Sequence, residues 1–260
     1  MRRLLVPLLL VGLLAALAGC GDEGTATSTS STGSTSTADT GSSTADTATT
    51  AGTVSGSGGG DTIRIAALGD SITAGSPIWD PDPDIRAQIG PALDEQSQFE
   101  YWAEEADPAL KFNNCGVFGE RTDEIAQRLD DCAKGADVLI VQGGINDIAQ
   151  GSSIDAAAEN LQAMVEAGRD AGLDVAITDV LPWNNGHPTA DEPIQELNAK
   201  IAEIAKQEDV PLLPFYDTLE DPSAPGTMKA EWTIDGDHPS VEGYELLAEQ
   251  AVLPNLPGTG

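Results

Sequence analysis

The sequence predicts an α/β domain, a three-layer, doubly wound arrangement around a five-stranded, mainly parallel sheet, and two observations carry that prediction. From residue 61 onward, short apolar or β-branched runs alternate with segments of helical period, the pattern of strands joined by crossover helices. The 260-residue chain also has the length for one good-sized domain plus accessories.

Strands are predicted at 63–68, 110–113, 138–142, 175–178 and 210–213. After the second, Ile125 and Leu129 mark an amphipathic helix beginning near Thr122, a suitable cap. Ile154, Leu161, Met164 and Val165 mark the next, and Ile194, Leu197, Ile201 and Ile204 a third, whose Pro193 suits a first turn. A last helix is predicted from Ser240 towards Val252, burying Tyr244, Leu246 and Leu247. In such sheets functional groups gather at the carboxyl ends of the strands.

Residues 1–60 have a different character. Arg2 and Arg3 precede an apolar run at 4–18 that is shorter than the roughly 20 residues a spanning helix needs. It therefore reads as the core of a signal peptide over 1–19. The run closes on Leu17-Ala18-Gly19-Cys20, which resembles the lipobox of prokaryotic lipoproteins and implies lipidation of Cys20. In residues 24–60, Ser and Thr occupy 21 of 37 positions, too little apolar surface to offset the entropy of ordering. Residues 20–60 are thus expected to be a lipidated Cys plus a disordered linker. As a flexible coil the Ser/Thr-rich part would span roughly 33 Å. The expected location is the cell envelope, lipid-anchored and facing outside the cytoplasm.

Charge narrows the function. The chain carries 43 acidic and 12 basic residues for a net of −31, with 39 acidic and 10 basic falling in 61–260. Duplex recognition needs a basic face, so no nucleic-acid partner is expected. A polytopic membrane protein is excluded because the N-terminal apolar run stands alone.

Polar, glycine-rich motifs follow three of the strands. Gly69-Asp70-Ser71-Ile72-Thr73 places a serine at the turn after the first, without the second glycine of a Gly-x-Ser-x-Gly elbow. Gly119 lies just before a helix start, where backbone N–H groups point outward and can receive an anion. Gly143-Gly144-Ile145-Asn146-Asp147 offers a side-chain amide that can form a turn or donate to an oxyanion. Near the end, Asp235-Gly236-Asp237-His238 sets a carboxylate three residues before one of the two histidines. His187, in Asn184-Asn185-Gly186-His187-Pro188, has no such partner nearby in sequence and reads as an exposed loop residue. Asp70 and Asp147 read as turn supports, and Trp79, Trp183 and Trp232 as loop residues that could wall a pocket.

In this order the motifs resemble the SGNH/GDSL hydrolase family. Ile72 stands where that family has Leu, and Glu120-Arg121-Thr122 stands where Asp-Thr or Asp-Ser often follows the glycine. The resemblance implies the flavodoxin-like fold of that family and a serine esterase. Ser71 would be nucleophile, His238 base and Asp235 its orienting carboxylate. The N–H groups of Ser71 and Gly119 and the amide of Asn146 would form the oxyanion hole. It calls for no metal and no organic cofactor, and for an acyl ester substrate, either a small molecule or a glycan or lipid ester, lysophospholipid among them. A non-catalytic glycan- or lipid-binding lipoprotein and an acyltransferase using the same triad are the rival readings. Two histidines without an Asp-x-His motif leave a dimetal phosphoesterase site short of ligands. Cys115 and Cys132 remain for a disulfide, which an exported domain allows. An unbroken helix between them would hold them too far apart, whereas a kinked one would not.

Overall fold

The computed structural model describes residues 62–75 and 95–258. The predicted leader, Cys20, the Ser/Thr-rich linker and Trp79 lie outside the described residues. Five parallel strands form one sheet: β1 (Ile63–Gly69), β2 (Leu110–Gly116), β3 (Val138–Val141), β4 (Asp174–Thr178) and β5 (Leu212–Leu213), in the order β2-β1-β3-β4-β5. β1 and β3 sit inside the sheet, and nearly all of their residues are buried. That burial on both faces explains their unbroken apolar runs. β2 is an edge strand and tolerates Lys111, Asn113 and Asn114.

The helices are α1 (Ser71–Ala74), α2 (Phe99–Ala106), α3 (Thr122–Ala126), α4 (Leu129–Cys132), α5 (Ile145–Ala149), α6 (Ile154–Asp170), α7 (Asp191–Gln207), α8 (Phe215–Leu219) and α9 (Val241–Leu246). A 3₁₀ turn covers Ala230–Trp232, and a π-helical stretch, Leu247–Val252, continues α9. α6 and α7 bury the stripes that predicted them, with Leu161, Met164 and Val165 on one and Ile194, Leu197 and Ile201 on the other. No helix among the described residues is long and apolar enough to cross a membrane.

Three boundaries differ from the sequence expectation, each for a local reason. β2 runs on to Gly116 because its whole length pairs with β1, Leu68 opposite Cys115 and Gly69 opposite Gly116. β5 shrinks to Leu212–Leu213, the two residues that pair with Ile177 and Thr178. The helix predicted from Thr122 breaks at Gln127 and Arg128 into α3 and α4. The break brings Cys132 back to Cys115, and the two form a disulfide with Cα atoms 6.0 Å apart.

The topology decides where a site can form. From β1 the chain leaves to one side for β2, then returns past β1 to β3. The carboxyl ends of β1 and β3 therefore flank the switch point, where open α/β sheets have their crevice. Gly116 keeps this rim closed: a Cβ there would lie 2.0 Å from the N of Ala74.

Candidate active site

Ser71 opens α1 directly after β1, so its N–H is among those without an intrahelical acceptor. Asp70 caps the same helix, its Oδ1 accepting from the Ile72 N–H at 2.9 Å. Gln142, at the end of β3, accepts from the Asp70 N–H and from the Thr73 hydroxyl, at 3.0 and 2.9 Å. The serine thus stands on a short helix tied to two strand ends.

His238 arrives from the far end of the chain. Residues 233–239 close a narrow loop in which Thr233 and Pro239 pair antiparallel and the Ile234 N–H donates to the His238 carbonyl. Asp235 folds back as a side-chain turn: its Oδ1 accepts from the N–H groups of both Asp237 and His238 at 2.8 Å. Its other oxygen lies 2.9 Å from His238 Nδ1, and His238 Nε2 lies 3.0 Å from Ser71 Oγ. Hydroxyl, imidazole and carboxylate therefore form one hydrogen-bonded chain across 167 residues of sequence. Partial burial works against ionisation of Asp235. The His238 ring and the two backbone N–H groups outweigh it and hold the carboxyl below its ordinary range.

The expected oxyanion donors come together unequally. Asn146 lies in α5 just beyond β3 and lines the same cleft as Ser71 and His238. One hydrogen of its amide goes to the Glu120 carbonyl at 3.0 Å, and the second has no partner among the described residues. Gly119 is not among the residues lining the cleft. It has φ +78°, and its carbonyl accepts from Gln150 at 2.9 Å, so the loop that carries it is tied both to Asn146 and to the residue that ends α5. Asp147 accepts from the N–H and hydroxyl of Thr122 at 3.0 and 2.9 Å, holding α3 against α5.

Around these groups lies a cleft of about 80 Å³ lined by Ser71, Ile72, Ile145, Asn146, Trp183, Asp237 and His238. Trp183 thus walls the site, whereas Trp232 does not line it and instead carries Lys229 Nζ 3.9 Å from its ring centre. Beneath the serine, burial pushes the Asp70 carboxyl up to about 6 against the lowering hydrogen bonds from Ile72 and Gln142. Its Oδ2 has no hydrogen-bond partner among the described residues.

Three contributors escaped the sequence reading. Arg128 donates to the carbonyls of Cys115 and Gly69 and pairs with Glu120 at 2.6 Å, lacing the ends of β1 and β2 to the loop carrying Gly119. Asp237 lines the cleft, and His187, expected on an exposed loop, bonds it at 2.9 Å. The only sequence cue was a carboxylate adjacent to His238.

Comparison with known proteins bears on the fold and on the family. No curated protein is significantly similar to the chain. Among solved structures, a protein placed in the lipolytic G-D-S-L family from Desulfitobacterium hafniense DCB-2 superposes with TM-score 0.60 at 20% identity, over 73% of this chain and 97% of its own. A member of the lipolytic protein G-D-S-L family from Veillonella parvula DSM 2008 gives 0.58 at 19%, over 73% and 96%. A GDSL-like lipase from Bacteroides thetaiotaomicron VPI-5482 gives 0.55 at 20%, over 72% and 84%. At these identities the likeness is one of fold. The family itself comes from the sequence match over residues 67–246: the chain belongs to the GDSL-like Lipase/Acylhydrolase family and is a serine hydrolase acting on ester bonds.

Proposed function

We propose that the protein is a membrane-anchored, extracytoplasmic esterase that cleaves short acyl or acetyl esters with Ser71, His238 and Asp235. The observation that carries this reading is the unbroken hydrogen-bonded chain from Ser71 Oγ through His238 to Asp235, at 3.0 and 2.9 Å. A serine hydroxyl attacks carbonyls only when a base removes its proton. His238 Nε2 takes that proton as Ser71 Oγ bonds to the ester carbon. It then passes the proton to the departing alcohol, a role worth about 10²–10⁴ in rate. Asp235 fixes the tautomer and stabilises the imidazolium. The N–H of Ser71 and the remaining amide hydrogen of Asn146, two residues that line the cleft, take the charge that develops on the carbonyl oxygen. A water activated by His238 then releases the acid and restores the serine.

The short-acyl reading is supported by the size of the cleft, about 80 Å³ among the described residues. The anchor rests on the lipobox-like Leu17-Ala18-Gly19-Cys20 and the Ser/Thr-rich segment after it. More than one acyl chain would be required for stable attachment.

Replacement of Ser71 by Ala is the direct test. The variant should melt like wild type and lose turnover of p-nitrophenyl acetate, and retained turnover would refute the assignment. Free acid should be the product even with a polyol acceptor present, while acyl transfer to that acceptor would make the protein a transferase. Cys20→Ala should abolish incorporation of labelled palmitate.

A further inference from the structure

We infer that Asp237 is a substrate-binding residue that selects esters whose alcohol part carries a free hydroxyl near the scissile oxygen. The inference rests on the esterase reading above and concerns the leaving group. Asp237 lines the catalytic cleft beside His238. Its Oδ1 accepts from two donors of one loop, Trp183 Nε1 at 2.6 Å and His187 Nε2 at 2.9 Å. The two donor rings are stacked on each other, centroids 3.8 Å apart and planes 26° from parallel, so neither can swing without displacing the other. Asp237 Oδ2 makes no hydrogen bond among the described residues, and the side chain is 41% exposed.

One oxygen is thus immobilised, and the carboxylate of this cleft-lining residue keeps its other oxygen as a spare acceptor. A carboxylate built this way is wasted on an ester of a plain alkanol. It matches a hydroxyl of the alcohol, which donates to it without bringing charge. An anionic leaving group would be repelled by it. A cationic one would meet the carboxylate well but would set a positive charge beside His238 as that ring becomes imidazolium, raising the barrier. The neutral hydroxyl is the donor that costs nothing in the transition state. Trp183 and His187 act as positioning residues, through Asp237.

The loop is built to stay in place. The side-chain amide of Asn185 exchanges two hydrogen bonds with the backbone of Met228, both at 2.8 Å, and the Asn184 N–H donates to the Gly226 carbonyl at 2.8 Å. The two rings are therefore delivered from a segment tied by three hydrogen bonds to residues 226–228.

The test uses three acetyl esters with the same acyl group: glycerol monoacetate with free hydroxyls, propyl acetate without them, and acetylcholine with a cation. In the wild type, kcat/KM for glycerol monoacetate should exceed that for propyl acetate by about 10–100-fold, the range for a hydrogen bond to a charged group. In Asp237→Ala the ratio should fall towards one. Trp183→Phe keeps the ring but removes the donor, and should lower the ratio part of the way. His187→Ala should lower it too, and His187→Gln, which restores an N–H, should recover it. A wild-type ratio near one, a preference for acetylcholine, or an equal loss on both neutral esters in Asp237→Ala would overturn the proposal. Ser71→Ala keeps the two questions apart: turnover retained there refutes the esterase reading itself, whatever the selectivity.

Discussion

The molecule holds two imidazole–carboxylate pairs with the same 2.9 Å separation, His238–Asp235 and His187–Asp237, and their carboxylates are two residues apart. In the first, the ring presents Nδ1 to the carboxylate and Nε2 to Ser71 Oγ, and its side chain is 18% exposed. In the second, Nε2 is spent on the carboxylate, the face lies on Trp183, and exposure is 42%. On the proposed mechanism, a His–Asp contact is therefore not by itself what makes a base. The group facing the other nitrogen decides, and here one ring faces the hydroxyl while the other serves as a fixed donor. The first pair closes within one loop, whereas the second joins segments 50 residues apart.

Removing each ring in turn is the sharpest way to break that contrast. His238→Ala should cost up to about 10⁴ in kcat on p-nitrophenyl acetate, the upper end for a general base. His187→Ala should cost less than about tenfold on the same ester, the scale of one lost hydrogen bond. Comparable losses in the two variants would erase the distinction. Next in size is Asn146→Ala. Its loss should be about 10²–10³ in kcat, as for a single oxyanion donor. The fall should appear in kcat rather than KM, because the amide meets negative charge only as the carbonyl is attacked.

The contrast also explains what could be read in advance. β1, β3 and β4 are inner strands buried on both faces, so apolar runs marked them. Ser71, Asn146 and Asp235-x-x-His238 were visible because each is fixed by its own strand end or turn. α2 went unpredicted although Phe99, Glu100 and Ala103 are buried, because its short stripe of buried residues is interrupted by acidic ones. Glu100 and Tyr244 are both buried, and the phenol is pushed up by that burial and by the carboxylate, a proximity that only packing creates. The break at Gln127 and Arg128 was hidden too, since what bends the chain there is Arg128 reaching back to Cys115 and Gly69. The pairing of His187 is hidden for the same reason: it sits on a loop as expected, but its partner is supplied by tertiary structure, and no local pattern announces it.

Bracing separates the two regions as well. The segment leading to Gly119 starts from a covalent tie, Cys115–Cys132, while the segment of His187 is held by Asn184 and Asn185 through hydrogen bonds alone. The disulfide closes a loop of sequence separation 17, for which chain entropy gives about 3 kcal/mol. The double variant Cys115→Ser/Cys132→Ser should lose that much in urea unfolding. Activity at 25 °C should survive, because Arg128 still holds the two strand ends. An unchanged unfolding midpoint would show that the bond contributes no stability.

The smallest effect lies at the root of the second region. Asp179 follows β4 and starts the loop that carries Trp183 and His187, and its Oδ1 accepts from the Tyr216 N–H at 2.8 Å. Burial pushes its carboxyl up to about 7, against the lowering hydrogen bonds from Tyr216 and Phe215 and with the Asp217 carboxylate adding to the rise. A carboxyl raised in the folded state keeps its proton there while the unfolded chain has released it. The stability it supplies is therefore complete below the ordinary value of 3.8 and is lost as pH rises through about 7. Between pH 6 and 8 the loss should be about 1.4 kcal/mol. Asp179→Asn keeps an acceptor for Tyr216 and has no proton to lose. Its melting temperature should gain on wild type by roughly 3–6 °C on moving from pH 6 to pH 8. Asp70, raised to about 6 beneath the serine, loses its contribution over a lower window, so Asp70→Asn should gain most of its advantage by pH 7. If the two variants tracked each other across this range, the catalytic loop and the loop that fixes Asp237 would share one titration rather than two.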